Sequence, residues 1–162
     1  MQRLEGTFYR VIFARDMVHL LSGANAPEGR FHHDGQAALY LSASPEGAAV
    51  AIATYLRPDD PPRVMVLLAV TSARILDLRQ PDNLGALGLS GHEPSAKWQE
   101  ERAQGLPATS WRASDSVRKA GADGMIYASR KAPELWHLVL FNWNQPGHAQ
   151  VAAKGAPADF HT

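Results

Sequence analysis

The longest uninterrupted apolar run in this 162-residue chain is Val64 to Val70. That length suits one buried strand, whereas a membrane-spanning helix needs about 18 residues or more. The most hydrophobic segment therefore predicts the heart of a sheet. Hydrophobic residues make up 45% of the chain and charged residues 20%, enough to close a core and too apolar for wholesale disorder. The opening Met1-Gln-Arg-Leu-Glu-Gly lacks the hydrophobic stretch of a signal peptide. A cytoplasmic protein with no membrane partner is expected.

The chain has no cysteine, which excludes a disulfide scaffold, an iron–sulfur cluster and a Cys-based zinc site. Lys+Arg and Asp+Glu balance at 16 each. A dedicated nucleic-acid binder normally carries a basic face, so direct nucleic-acid binding is not expected.

Around the central run the pattern is mixed. Thr7 to Phe13, Ala38 to Ser42, Arg63 to Val70, Ala73 to Leu78, Gly124 to Ser129 and His137 to Asn142 read as strands. Asp16 to Ser22, Pro94 to Ala103 and Ser110 to Ala120 read as helices. Ser44-Pro45-Glu46 is a helix start: Ser accepts a backbone N–H, Pro tolerates the first turn, and Glu meets the positive end of the dipole. The apolar face Ala48, Ala49, Ile52, Tyr55, Leu56 continues it. Ala24 to Gln36 is a long loop, and long ordered loops in small domains are often functional. Pro81 to Gly91 is Gly- and Leu-rich and fits no element cleanly. Strands and helices do not alternate regularly, which predicts an α+β domain over 1–144. After Asn144 the composition shifts to Ala, Gly, Pro and Gln, which predicts a loose tail or partner-binding segment over 145–162.

No phosphate-binding Gly-rich loop and no G-x-S-x-G elbow is present. His32-His33-Asp34 hints at metal, but adjacent loop histidines rarely converge on one ion, so no metal is expected. What remains is polar residues set in or beside apolar segments. Arg10 interrupts Phe8-Tyr9-Arg10-Val11, where a charge needs an anion or a route to water. Arg30 follows Gly29, Tyr40 sits inside Leu39-Tyr40-Leu41, and Ser129 ends a strand. Two guanidinium forks suit a pyrophosphate, and an aromatic face suits a flat heterocycle. The set fits a dinucleotide such as NAD bound without a Rossmann motif.

These residues, in this order, resemble the RES-domain family, named for an Arg, a Glu and a Ser. Tyr9-Arg10 resembles its opening pair, Gly29-Arg30-Phe31 its Gly-Arg-aromatic loop, and Ala38 to Pro45 its strand-then-helix signature. Gly124 to Arg130 followed by Leu138-Val139-Leu140-Phe141 resembles the closing block, with Ser129 as the Ser. The resemblance implies a compact fold related to ADP-ribosyltransferases. It also implies a toxin of a bacterial toxin–antitoxin pair that acts on NAD. Arg10, Arg30, Tyr40 and Ser129 would bind the dinucleotide, with Arg10 and Ser129 also in the chemistry. The implied partner is an antitoxin with a helix-turn-helix region. The expected acceptor of ADP-ribose is a protein, with enzymes of nucleotide metabolism as candidates.

One departure matters. The family's Glu falls on Ala51, and the nearest acid is Glu46 in the first helical turn. The expectation is therefore that Glu46 or His33 takes over part of its work, His33 by deprotonating the acceptor. Water or phosphate as acceptor would instead make a glycohydrolase or phosphorylase. Loss of turnover would leave an NAD-binding or antitoxin-binding module.

Overall fold

The computed structural model describes residues 1–161. Its strands are β1 (Gln2–Phe13), β2 (Leu39–Ser42), β3 (Arg63–Asp77), β4 (Gly124–Ala128), β5 (Trp136–Leu140), β6 (Gln150–Ala153) and β7 (Ala158–Phe160). Its α-helices are α1 (Pro45–Ile52), α2 (Pro81–Ala86), α3 (Trp98–Ala103) and α4 (Ser110–Lys119). The mixed architecture is the α+β class that the sequence predicts.

One sheet organises the molecule. Its order is β1-β2-β5-β4-β3-β6, with β7 also on β3 and β1 pairing back to β3. The pairings β1–β2–β5–β4–β3–β1 thus close a ring, and only β3–β4 is parallel. Strand alternation gives the sheet two apolar faces. Leu39, Leu41, Leu138 and Leu140 join Phe8 and the even residues of Val64–Val70 on one side. Tyr40, Val139, Met125 and Tyr127 turn the other way, onto Ala113 and Val117 of α4. Full burial of each such side chain contributes about 1.5–3 kcal/mol.

Local chemistry explains the element ends. Ser44 Oγ accepts from Gly47 N at 3.0 Å and starts α1, as expected. The segment Asp16 to Ser22, predicted as a helix, is a 3-10 stretch over Ala14–His19. Of Pro94 to Ala103, only Trp98–Ala103 is α-helical, preceded by a 3-10 turn at Glu93–Ser95. The segments Arg63 to Val70 and Ala73 to Leu78, predicted as two strands, are one strand interrupted by a bulge. Leu4 pairs with Ala73 and Gly6 with Val70, so Glu5 faces both Thr71 and Ser72. Ser72 takes a positive φ of 56° there. The extra residue breaks the inside–outside alternation without ending the strand.

Of the segment 145–162, read as a loose tail or partner-binding segment, the described residues 145–161 are not loose. β6 pairs with Leu68–Thr71 and β7 with Arg63–Met65, filling the edge of β3 that β4 leaves open. His148 Nδ1 bonds the buried Asp123 carboxylate at 2.7 Å and fixes the segment at its start.

Candidate functional site

A cleft of about 500 Å³ opens on the sheet face that carries Tyr40 and Tyr127. Small-molecule sites commonly measure roughly 300–1,000 Å³. The floor is a row of paired residues on four adjacent strands. Tyr9 pairs with Ser42, Ser42 with His137, and His137 with Tyr127. All four line the cleft. The walls come from the loop around Gly29-Arg30, the end of α1 with Tyr55, and the turn Ser129–Lys131 after β4.

Four of the six site residues expected from sequence meet here. Arg10, Arg30, Tyr40 and Ser129 all line the cleft. Arg10 donates from Nη1 to the Leu20 carbonyl at 2.6 Å. Arg30 donates from Nη1 to the Pro94 carbonyl at 3.2 Å. Neither guanidinium has a carboxylate within salt-bridge distance among the described residues. Burial lowers the pKa of both, a sign of charge held in a poorly solvated place. Buried cations without anions are costly and favour an anionic ligand.

The Arg30 loop is built to hold its shape. Trp111 Nε1 in α4 donates to the Gly29 carbonyl at 2.8 Å, and Ser110 Oγ donates to the Arg30 carbonyl. A Cβ at Gly29 would collide with the His32 ring, so only glycine fits. His32 Nε2 bonds the Ala26 carbonyl at 3.0 Å, which requires a proton on Nε2. Its Nδ1 therefore accepts from the Tyr40 hydroxyl at 2.7 Å, while that oxygen accepts from Phe31 N at 3.0 Å. Burial lowers the His32 pKa and raises that of Tyr40, keeping both neutral.

Ser129 is 5% exposed, and its Oγ accepts from Ala132 N at 3.2 Å. Its hydroxyl proton has no acceptor among the described residues and is free to donate into the cleft. Ala51 also lines the cleft, at the end of α1.

His33 and Glu46 do not join the cleft. His33 lies between two carboxylates, with Nδ1 2.6 Å from Asp34 and Nε2 2.8 Å from Asp115, and stacks on Trp111. Burial opposes its charge, but the two carboxylates outweigh burial and raise its pKa. With both nitrogens engaged it is a loop clamp and no base. Glu46 is exposed on the first turn of α1, where it serves the helix dipole.

Sequence reading missed Ser42, His137, Tyr127 and Tyr55 as cleft residues. His137 is 6% exposed, and its Nδ1 meets Ser42 Oγ at 2.9 Å. Burial, reinforced by the Arg30 charge, lowers its pKa to about 4. Arg130 and Lys131 add two more cations at the rim. Glu28, also in the wall, is already paired with Arg102 at 2.7 Å. No group of three or more His, Asp or Glu side chains is poised for a metal among the described residues. No helix there is long and apolar enough to cross a membrane.

A family model described as the RES domain matches residues 2–162. Among solved structures, the M. tuberculosis MbcT-MbcA toxin-antitoxin complex contains a chain similar to this one. The TM-score is 0.63 at 18% identity, covering 98% of this chain and 85% of that one. At that identity the likeness is one of fold. No curated protein matches the chain.

Proposed function

Because the chain belongs to the RES-domain family, we propose that it is the toxin of a bacterial toxin–antitoxin pair and consumes NAD in the cytoplasm. It cleaves the nicotinamide–ribose bond and passes ADP-ribose to an acceptor. The observation that carries this reading is the pair Arg10 and Arg30, two cations without carboxylates in one cleft of ligand size. They suit a pyrophosphate. Tyr40 presents its ring to the nicotinamide end, and the free Ser129 proton suits a ribose or carboxamide oxygen. The C1′–N bond breaks with its electron pair going to nicotinamide, which leaves neutral. The site therefore has to orient the sugar and stabilise positive charge at C1′, with no strong acid required.

Two acceptors compete. Transfer to a protein side chain needs a base for its proton; Ala51, Glu46 and His33 supply none in the cleft, and His137, its pKa lowered to about 4, is a weak one. Inorganic phosphate is already anionic and needs no base, and Arg130 and Lys131 are available to receive it beyond the pyrophosphate. The cleft thus favours phosphate, with a protein side chain as the second reading. A helix-turn-helix antitoxin that covers this cleft would silence either reaction.

The test is induced expression in a bacterial host, with cellular NAD measured against growth. Growth arrest with falling NAD, relieved by the antitoxin encoded beside the gene, supports the reading. Arrest at constant NAD contradicts the phosphate reading, and contradicts the protein reading too if no protein becomes ADP-ribosylated.

A further inference from the structure

An NAD-cleaving cleft has to hold ribose hydroxyls as well as phosphates, and hydroxyls need acceptors. This cleft is rich in donors: Arg10, Arg30, Arg130, Lys131 and the Ser129 hydroxyl. Its acceptors are mostly spent. Glu28 is committed to Arg102, and both nitrogens of His32 are bonded within the protein.

His137 is different. Its register position places it in the middle of the floor, between Ser42 and Tyr127. Its Nδ1 is tied to Ser42 Oγ. Its Nε2 has no hydrogen-bond partner among the described residues, and it is not among their sealed, unpaired polar atoms. The nitrogen therefore opens on the cleft that the residue lines. The ring is packed on both sides, with the Tyr127 ring 5.3 Å away at 39° and Gly47 of α1 beside its Cε1.

We infer that His137 Nε2 accepts a hydrogen bond from a hydroxyl of the nicotinamide-side ribose, with Ser42 as the positioning residue that holds the imidazole. Nδ1–H then donates to Ser42 Oγ, which leaves the Nε2 lone pair facing substrate. The low pKa of this ring keeps it neutral at neutral pH, so one of its two nitrogens carries a lone pair. The assignment rests on the NAD reading above and makes His137 specific for a sugar that carries its hydroxyls.

The experiment is calorimetric titration of the folded protein and its variants with NAD and with two NAD analogues. One analogue lacks the 2′-hydroxyl of the nicotinamide-side ribose, and the other lacks the 3′-hydroxyl. His137→Leu is expected to weaken NAD binding roughly three- to tenfold, the effect of one neutral hydrogen bond. His137→Gln, whose amide oxygen can reach the Nε2 position, is expected to lose less. Ser42→Ala is expected to fall between wild type and His137→Leu. With one of the two analogues, His137→Leu and wild type are expected to bind equally, because the shared bond is already gone. Equal weakening on NAD and both analogues would assign His137 a structural role and overturn the inference. So would unchanged NAD binding by folded His137→Leu. Failure of the wild-type protein to bind NAD would overturn the parent reading and this assignment with it.

Discussion

The Tyr40 hydroxyl donates to His32 Nδ1 across 2.7 Å, and with the Phe31 N–H that the same oxygen accepts, this bond couples the binding loop to the sheet. Tyr40 stands on β2, while His32 closes the turn that carries Gly29 and Arg30. Tyr40→Phe removes the donor and leaves both His32 Nδ1 and the Phe31 N–H without their partner. Unpaired buried groups cost about 1–3 kcal/mol each. A clear fall in melting temperature is expected, together with weaker NAD binding. A variant that melts like wild type would contradict this coupling.

Arg30→Ala removes one of the two half-buried cleft arginines, Arg10 and Arg30, that have no carboxylate partner among the described residues. Hydrogen bonds to charged groups contribute about 1.5–3 kcal/mol, so NAD affinity is expected to drop by about tenfold or more. Stability is expected to change little, because the side chain makes only a 3.2 Å bond to the Pro94 carbonyl. Calorimetry beside a thermal melt separates the two effects. Unchanged affinity in a folded variant would remove Arg30 from the site.

Ser129→Ala is expected to cost activity more than stability. The bond it loses inside the protein, from Ala132 N, is long at 3.2 Å, and a typical net hydrogen bond contributes only about 1 kcal/mol. Parallel loss of melting temperature and nicotinamide release would make it a structural turn residue.

The structure also says how far the sequence could be read. The start of α1 was fully legible, because Ser44, Pro45 and Glu46 act through bonds within one turn. So were β2 and β4, whose apolar residues are contiguous. β6 and β7 were not, because Gln150–Ala153 and Ala158–Phe160 have weak strand character and exist through pairing with a distant part of the chain, β3. The bulge at Thr71-Ser72 made one strand look like two. In the site, the strand and loop positions of Arg10, Arg30, Tyr40 and Ser129 pointed to one place. His33 and Glu46 lie outside the cleft, because neither spacing nor residue type reveals the direction of a loop side chain or the exposed side of a first turn. His137 opened a predicted strand and drew no site reading. Its meaning depends on cross-strand register with Ser42, which no local pattern encodes.

Ala51→Glu restores a carboxylate to the wall of the cleft. Ala51 is exposed at the end of α1, so little folding cost is expected. A carboxylate there stabilises positive charge developing at C1′, and nicotinamide release is expected to rise. No change in a folded variant would show that position 51 does not reach the sugar.

Acid is expected to loosen the anchor of Arg30. Glu93 precedes Pro94, whose carbonyl receives Arg30. Burial alone would raise the Glu93 pKa. The Ser90 and Gly91 backbone N–H groups and the Ser90 hydroxyl outweigh burial and hold it at about 2. A carboxylate depressed in the folded state stabilises the fold above its unfolded pKa. That stability is lost as pH falls from about 4.5 towards 2, and it is on the order of 3 kcal/mol. Melting temperature is expected to decline over that window, and less steeply in Glu93→Gln. Parallel declines would assign the acid sensitivity to other groups.

The most direct test of the whole account is nicotinamide release from NAD by the purified protein, with the adenosine side labelled. It is run in plain buffer, with inorganic phosphate, and with cell lysate cleared of phosphate. The account predicts release that Arg30→Ala and Ser129→Ala suppress, fastest with phosphate, leaving the label on a small ADP-ribose phosphate product. Label moving to a protein band would move the acceptor to a side chain while keeping the chemistry. NAD that stays intact under all three conditions would contradict the claim that this cleft cleaves it.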